Sequence, residues 1–162
     1  MKLVKFLPLF LLCLLASCNN NTEPVEKWEY VPIVEVLEPE CEIFPNQSGI
    51  PVLGDMLPSP SYVINSAEDF PSGDVFGMDK LKSTDIDFDK YTLLVVYALY
   101  PEKLVDAKAN LNKLISEDKY RLITGFVIDS ADNVDTWSLY MCAVVVNKIP
   151  LGADVEFWNS FQ

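Results

Sequence analysis

The sequence predicts an α+β fold that is mainly β, an antiparallel sheet with one short helix. Three observations lead there. Residues 91–100, YTLLVVYALY, form an unbroken apolar run of aromatic and β-branched side chains, which reads as a central strand covered on both faces. Residues 136–146 alternate, with Trp137, Leu139, Met141, Ala143 and Val145 on one face and Thr136, Ser138, Tyr140 and Cys142 on the other, so the first set is expected in the core. Helix signals are sparse by contrast. Only Ser66-Ala67-Glu68-Asp69 offers an N-cap followed by acids, and Pro71 ends it within one turn or two.

In chain order, Lys2 and Lys5 precede eleven uncharged residues, Phe6 to Ala16. That run is too short to span a bilayer, which takes about 20 apolar residues, and it fits the basic and apolar regions of an export signal. Pro8 within it and Asn19 to Asn21 directly after it oppose a buried helix. The run closes as Leu15-Ala16-Ser17-Cys18, which resembles the lipobox of bacterial lipoproteins. In that family a diacylglycerol is attached to the cysteine sulfur and the chain is cut just before it. The resemblance implies a signal peptide over residues 1–17, lipid attachment at Cys18 and a membrane partner reached through that lipid. Each buried methylene contributes about 0.8 kcal/mol, and more than one chain makes the attachment stable. Asn19 is not the aspartate that resembles an inner-membrane retention signal, so the resemblance implies an outer-membrane address.

Residues 18–60 are expected to be a lipidated tether and a proline-rich wrapping segment. Asn19 to Glu26 is polar without apolar period. Val34, Val36 and Leu37 suggest one short strand, but Pro32, Pro39, Pro45, Pro51, Pro58 and Pro60 interrupt any longer ladder.

The sheet domain is expected over residues 61–162. Tyr62 to Ile64 reads as a short strand that leads into the helix signal. Asp85 to Asp89 leads into the central run. Residues 104–115 carry both a helical stripe and a strict alternation from Val105 to Asn112, and Asn110 and Asn112 tip the reading to strand. Tyr120 to Ile128 makes another strand, Asp129 to Asn133 is turn chemistry, and Ile149-Pro150-Leu151-Gly152 turns the chain toward Val155, Phe157 and Phe161, which close the sheet. The order of elements from "YVINSAEDF" to "WSLYMCAVVVNKIPLGADVEF" resembles small exported bacterial lipoprotein domains of unknown function. The "INSAEDF" and "DFDKYTLLVV" segments bear a fainter similarity to accessory subunits of bacterial protease complexes, although Pro101-Glu102-Lys103 stands where that family carries a glycine-rich stretch.

Composition narrows the function classes. From Cys18 onward, 162 − 17 = 145 residues remain, which suits one domain. Without Lys2 and Lys5 the charge is 10 − 24 = −14, and such a surface repels nucleic acid. The chain has no histidine, which excludes a Ser-His-Asp or Cys-His nucleophile and a histidine-based zinc site. Asp85, Asp87 and Asp89 begin like a calcium loop, but Lys90 and Val96 stand where such a loop needs glycine and glutamate. Asp129, Asp132, Asn133 and Asp135 are acidic and equally suited to a hairpin turn. Gly73, Gly77 and Gly125 form no phosphate-cradling pattern, and no cofactor is predicted. Cys41 and Cys142 are a candidate disulfide in an exported chain, closing a loop of about 100 residues worth up to about 4.7 kcal/mol. The other reading is two separate thiols with Cys142 packed as a small hydrophobe. Trp28, Trp137 and Trp158 are expected mainly in the core. The sequence therefore favours a non-enzymatic binding or scaffolding domain whose partner is an envelope protein. A glycan or small-ligand module is the second choice, and a carboxylate-dependent hydrolase the third.

Overall fold

The computed structural model of the chain describes residues 25–44, 60–73, 75–129 and 137–162. Among these residues the fold is mainly β. Its strands are β1 (Trp28–Val31), β2 (Ile33–Val36), β3 (Glu40–Phe44), β4 (Ser61–Ile64), β5 (Tyr91–Tyr100), β6 (Leu104–Leu114), β7 (Lys119–Ile128), β8 (Trp137–Asn147) and β9 (Asp154–Phe161). One short α-helix, α1 (Met78–Lys82), stands beside a three-residue 3-10 turn at Ala67–Asp69. The N-cap signal at Ser66 thus yields only the 3-10 turn. The α-helix starts at Gly77, whose φ of 72° is left-handed and which makes no side-chain cap, so no capping residue announced it in the sequence.

The strands form two sheets in place of the expected one. Sheet A has the order β1-β6-β7-β9, and sheet B the order β2-β8-β5-β4 with β3 also paired to β8. Burial explains why one sheet is insufficient. Along β5, Leu94, Val96 and Ala98 face one hydrophobic layer and Leu93, Val95 and Tyr97 face another. A strand that is apolar on both sides needs a covering layer on each. Sheet A supplies the first through Leu111, Leu122 and Phe126, and the segment carrying Phe70, Phe76, Met78, Leu81 and Phe88 supplies the second. The alternation in β8 is corrected in the same way. Leu139, Met141, Ala143 and Val145 are buried as expected, but so are Ser138, Tyr140 and Cys142.

The proline-rich segment is extended, as expected, yet part of it belongs to both sheets. β1 pairs β6, with Trp28 opposite Leu114 and Val31 opposite Leu111, while β2 pairs β8 immediately after Pro32. One bent strand therefore joins the two sheets along a seam, with a residue that cannot donate to a ladder placed at the bend. Residue 61 is not where the sheets begin. β7 and β9 pair in parallel, an exception in a fold otherwise built from antiparallel ladders. The chain passes from β7 in sheet A to β8 in sheet B and back to β9. Two reversals leave β7 and β9 running the same way, whereas sequence reading assumes that consecutive strands are neighbours.

Candidate functional site

Among the described residues, sheet B is covered on both sides and sheet A on one. The outer face of sheet A is read off its register: Trp28 and Tyr30 from β1, Asn112 from β6, Lys119, Arg121 and Ile123 from β7, and Glu156 and Trp158 from β9 alternate with the inward-facing core residues. Tyr30 is 62% exposed and Trp158 52% exposed. Of the three tryptophans, only Trp137 packs on a core layer, and it is partly buried. Trp28 and Trp158 belong to this open face, because an indole on a strand of a one-sided sheet lands outside whenever its neighbours in the alternation are core.

Arg121 organises the face. Its guanidinium carbon lies 4.0 Å from the Trp28 ring centroid and 3.9 Å from that of Trp158, so the cation sits over both ring faces. Its Nε and one terminal nitrogen donate to the same oxygen of Glu156 at 2.9 and 2.8 Å. Lys119 reaches the other Glu156 oxygen at 2.5 Å. These contacts, Lys119 first and Arg121 second, hold the Glu156 carboxyl below the usual carboxylate range. Asp87, paired with Lys90, is lowered as well. A hydrolytic general acid needs the opposite displacement, so neither carboxylate suits that role. The outer face thus joins aromatic edges, a stacked cation and an acid held between two cations on one sheet.

The sequence-nominated cysteines fall elsewhere. Cys18 lies outside the described residues. Cys41 on β3 is opposite Tyr140 of β8, and Cys142 is two residues further along β8, so the two thiols are diagonal neighbours on one face. Diagonal positions lie about 7–8 Å apart, beyond the Cα spacing that most disulfides take, and both cysteines are free thiols in this structure. Cys41 is on an exposed edge strand with its Sγ 3.7 Å from the Leu104 carbonyl, to which it donates. Burial raises the Cys41 thiol, an effect opposed by Lys103, and pushes the Cys142 thiol up to about 11. A maleimide at neutral pH should therefore modify Cys41 in the folded protein and spare Cys142, and both should react after denaturation without reductant. Mass spectrometry reads the result, and a pair that resists alkylation until reduced would contradict this placement.

Among the described residues no group of three metal-ligating side chains converges, and Asp85, Asp87 and Asp89 lead into β5 as an exposed entry. Of the second acidic cluster, Asp129 is described, and it hydrogen-bonds through its backbone to Lys103. Asp132, Asn133 and Asp135 lie outside the described residues. No protein-family model matches the chain, and no curated protein and no solved structure shows significant similarity to it.

Proposed function

We propose that this chain is a cell-envelope lipoprotein, acylated at Cys18 and addressed to the outer membrane. Its two-sheet domain is non-enzymatic and uses the outer face of sheet A to hold a protein partner of the envelope. The observation that carries the reading is the asymmetry of covering: sheet B is packed on both faces, while sheet A leaves Tyr30 and Trp158 exposed beside Arg121. Exposed aromatic and arginine side chains are the residue types that anchor protein interfaces. The lipobox resemblance supports the anchor, and no helix among the described residues is long and apolar enough to cross a membrane. The strongly acidic composition supports a partner other than nucleic acid.

A glycan ligand is the second reading, favoured by the exposed Trp158 indole. It is ranked second because one face of each indole is already taken by Arg121, which leaves less flat aromatic surface for a sugar ring.

A photo-crosslinking amino acid at Tyr30 in intact cells tests the reading against the same probe at Lys82, an exposed residue of α1 on the covered side of sheet B. One discrete adduct from position 30, absent at position 82 and lost with Cys18→Ala, is expected, and the Cys18→Ala chain should stay as uncut precursor. Equal adducts at both positions, or normal processing and lipid labelling of Cys18→Ala, would refute it. A saturable change of indole fluorescence on adding soluble envelope glycan would promote the second reading.

A further inference from the structure

Three exposed aliphatic side chains stand at one end of the domain. Val25 is 84% exposed, Ile115 59% and Leu151 83%. They come from separate parts of the chain: the entry to β1, the β6–β7 turn and the β8–β9 turn. Hydrogen bonds bring these segments side by side, since the Ile115 amide donates to the Lys27 carbonyl at 3.0 Å and the Asp154 amide to the Asp118 carbonyl at 3.1 Å. Val25, Leu114 and Ile115 also line an open depression at this end.

We propose that this end of the sandwich rests in the headgroup–acyl boundary of the bilayer to which Cys18 is joined, with Val25, Ile115 and Leu151 dipping into it. The inference rests on the lipid anchor at Cys18. Val25 is seven residue steps on from Cys18, and a fully extended chain of that length reaches at most about 25 Å. The end of the domain nearest the lipid is thus the one that carries the exposed aliphatics. Side chains of this kind, held at the tips of rigid turns, partition into the interfacial layer without crossing it.

Lysines gather at this end, with acids beside them. Removing Lys2 and Lys5 from 12 basic residues leaves 10 after Cys18, and Lys27, Lys90, Lys113, Lys119 and Lys148 are five of them. All five stand at this end, where β1, β5 and β7 start and β6 and β8 finish. Acids at the same end match them, Asp87 at Lys90, Asp118 at Lys113, and Asp154 and Glu156 at Lys119, so the contact rests on the aliphatic side chains, with lysine stems free to extend along such a boundary while their ammonium groups stay in water.

The test uses the full-length lipidated protein in phosphatidylethanolamine–phosphatidylglycerol vesicles that carry a nitroxide high on the acyl chain. A fluorophore is attached through Ser116→Cys at the proposed contact or through Glu102→Cys at the far end, each in a Cys41→Ser background. Strong quenching at position 116, none at position 102, and loss of most of the quenching at 116 when Ile115→Asp and Leu151→Asp are added are expected. Equal quenching at both positions, or none at 116 while the protein floats with the vesicles, would overturn the contact and leave the anchor standing. Protein that neither floats nor carries added lipid mass would overturn the anchor and the contact together.

Discussion

Alanine at Phe126 should lower the unfolding free energy of the domain by about 3–5 kcal/mol, the range for emptying a fully buried phenylalanine site. Phe126 has no exposed surface. Its ring meets Tyr140 of β8 edge-on at 5.7 Å and stacks on Phe161 of β9 at 5.6 Å, and Phe161 in turn stacks on Tyr100 of β5 at 4.3 Å. The truncation therefore removes transfer energy and opens a cavity between the two sheets, where four strands from both layers share a single aromatic cluster. Collapse into the space is restrained, because each neighbour is fixed by its own ladder. A loss of that size should depress the melting temperature of a domain this long by roughly 10 °C or more. Phe126→Leu keeps most of the volume and should retain most of the stability. Urea and thermal denaturation read both variants, and a loss below about 1 kcal/mol for Phe126→Ala would mean that the sheets are not packed through this cluster.

Strand identity was legible in the sequence where side chains repeat at strand period or pack on both sides of the chain. Residues 91–100 were readable because an uncharged β-branched run of that length has no stable place except between two layers. Residues 104–114 were readable only in part, because a helical stripe competes with the alternation there and Asn110 and Asn112 do no more than tip the balance to strand. What alternation cannot give is the identity of the neighbour. Nothing local in Asp154–Phe161 distinguishes pairing with β8 from pairing with β7, and the outcome depends on the chain having changed sheets twice. The helix at Met78–Lys82 was illegible because it is a single turn begun by a left-handed glycine, held by Met78 and Leu81 packing on sheet B. The aromatic and arginine cluster on the outer face of sheet A was half legible. Tryptophans were noticed at 28 and 158, but their exposure follows from which side of sheet A lacks a cover, a property of the assembled layers. The arginine between them carried no sequence signal at all, since Trp28 and Arg121 are joined only when β1 folds back beside β6.

If the tether-side end rests on the bilayer as proposed, the strands would rise from the membrane and the outer face of sheet A would stand clear of it. β7 spans ten residues, about 33 Å at strand rise, so the Arg121 cluster sits near the lower third of that height. Under that proposal, a partner embedded in the same membrane, or lying close above it, would be within reach of this face.

Replacing Arg121 with alanine should then have two effects with one cause. Stability should fall by about 2–3 kcal/mol, the sum of two cation–π contacts on a side chain that is largely covered and a small contribution from the Glu156 pair. Because Trp28 lies on β1, Arg121 on β7 and Trp158 on β9, the guanidinium ties three of the four strands of sheet A together on the side that no other described residue covers. Its loss should let both indoles move into water, visible as a red shift in tryptophan emission from Trp28 and Trp158, and should abolish the crosslink from position 30. Arg121→Lys separates the components. Lysine keeps the charge beside Glu156 but cannot lay a planar cation against two rings, so it should recover no more than about half of the lost stability. If Arg121→Lys matches the original protein in denaturation, emission and crosslinking, then the double stacking contributes nothing and the face owes its order to the strands alone. If Arg121→Ala retains its crosslink while losing stability, the cluster holds β1 and β9 in place and the partner binds by contacts that do not involve it.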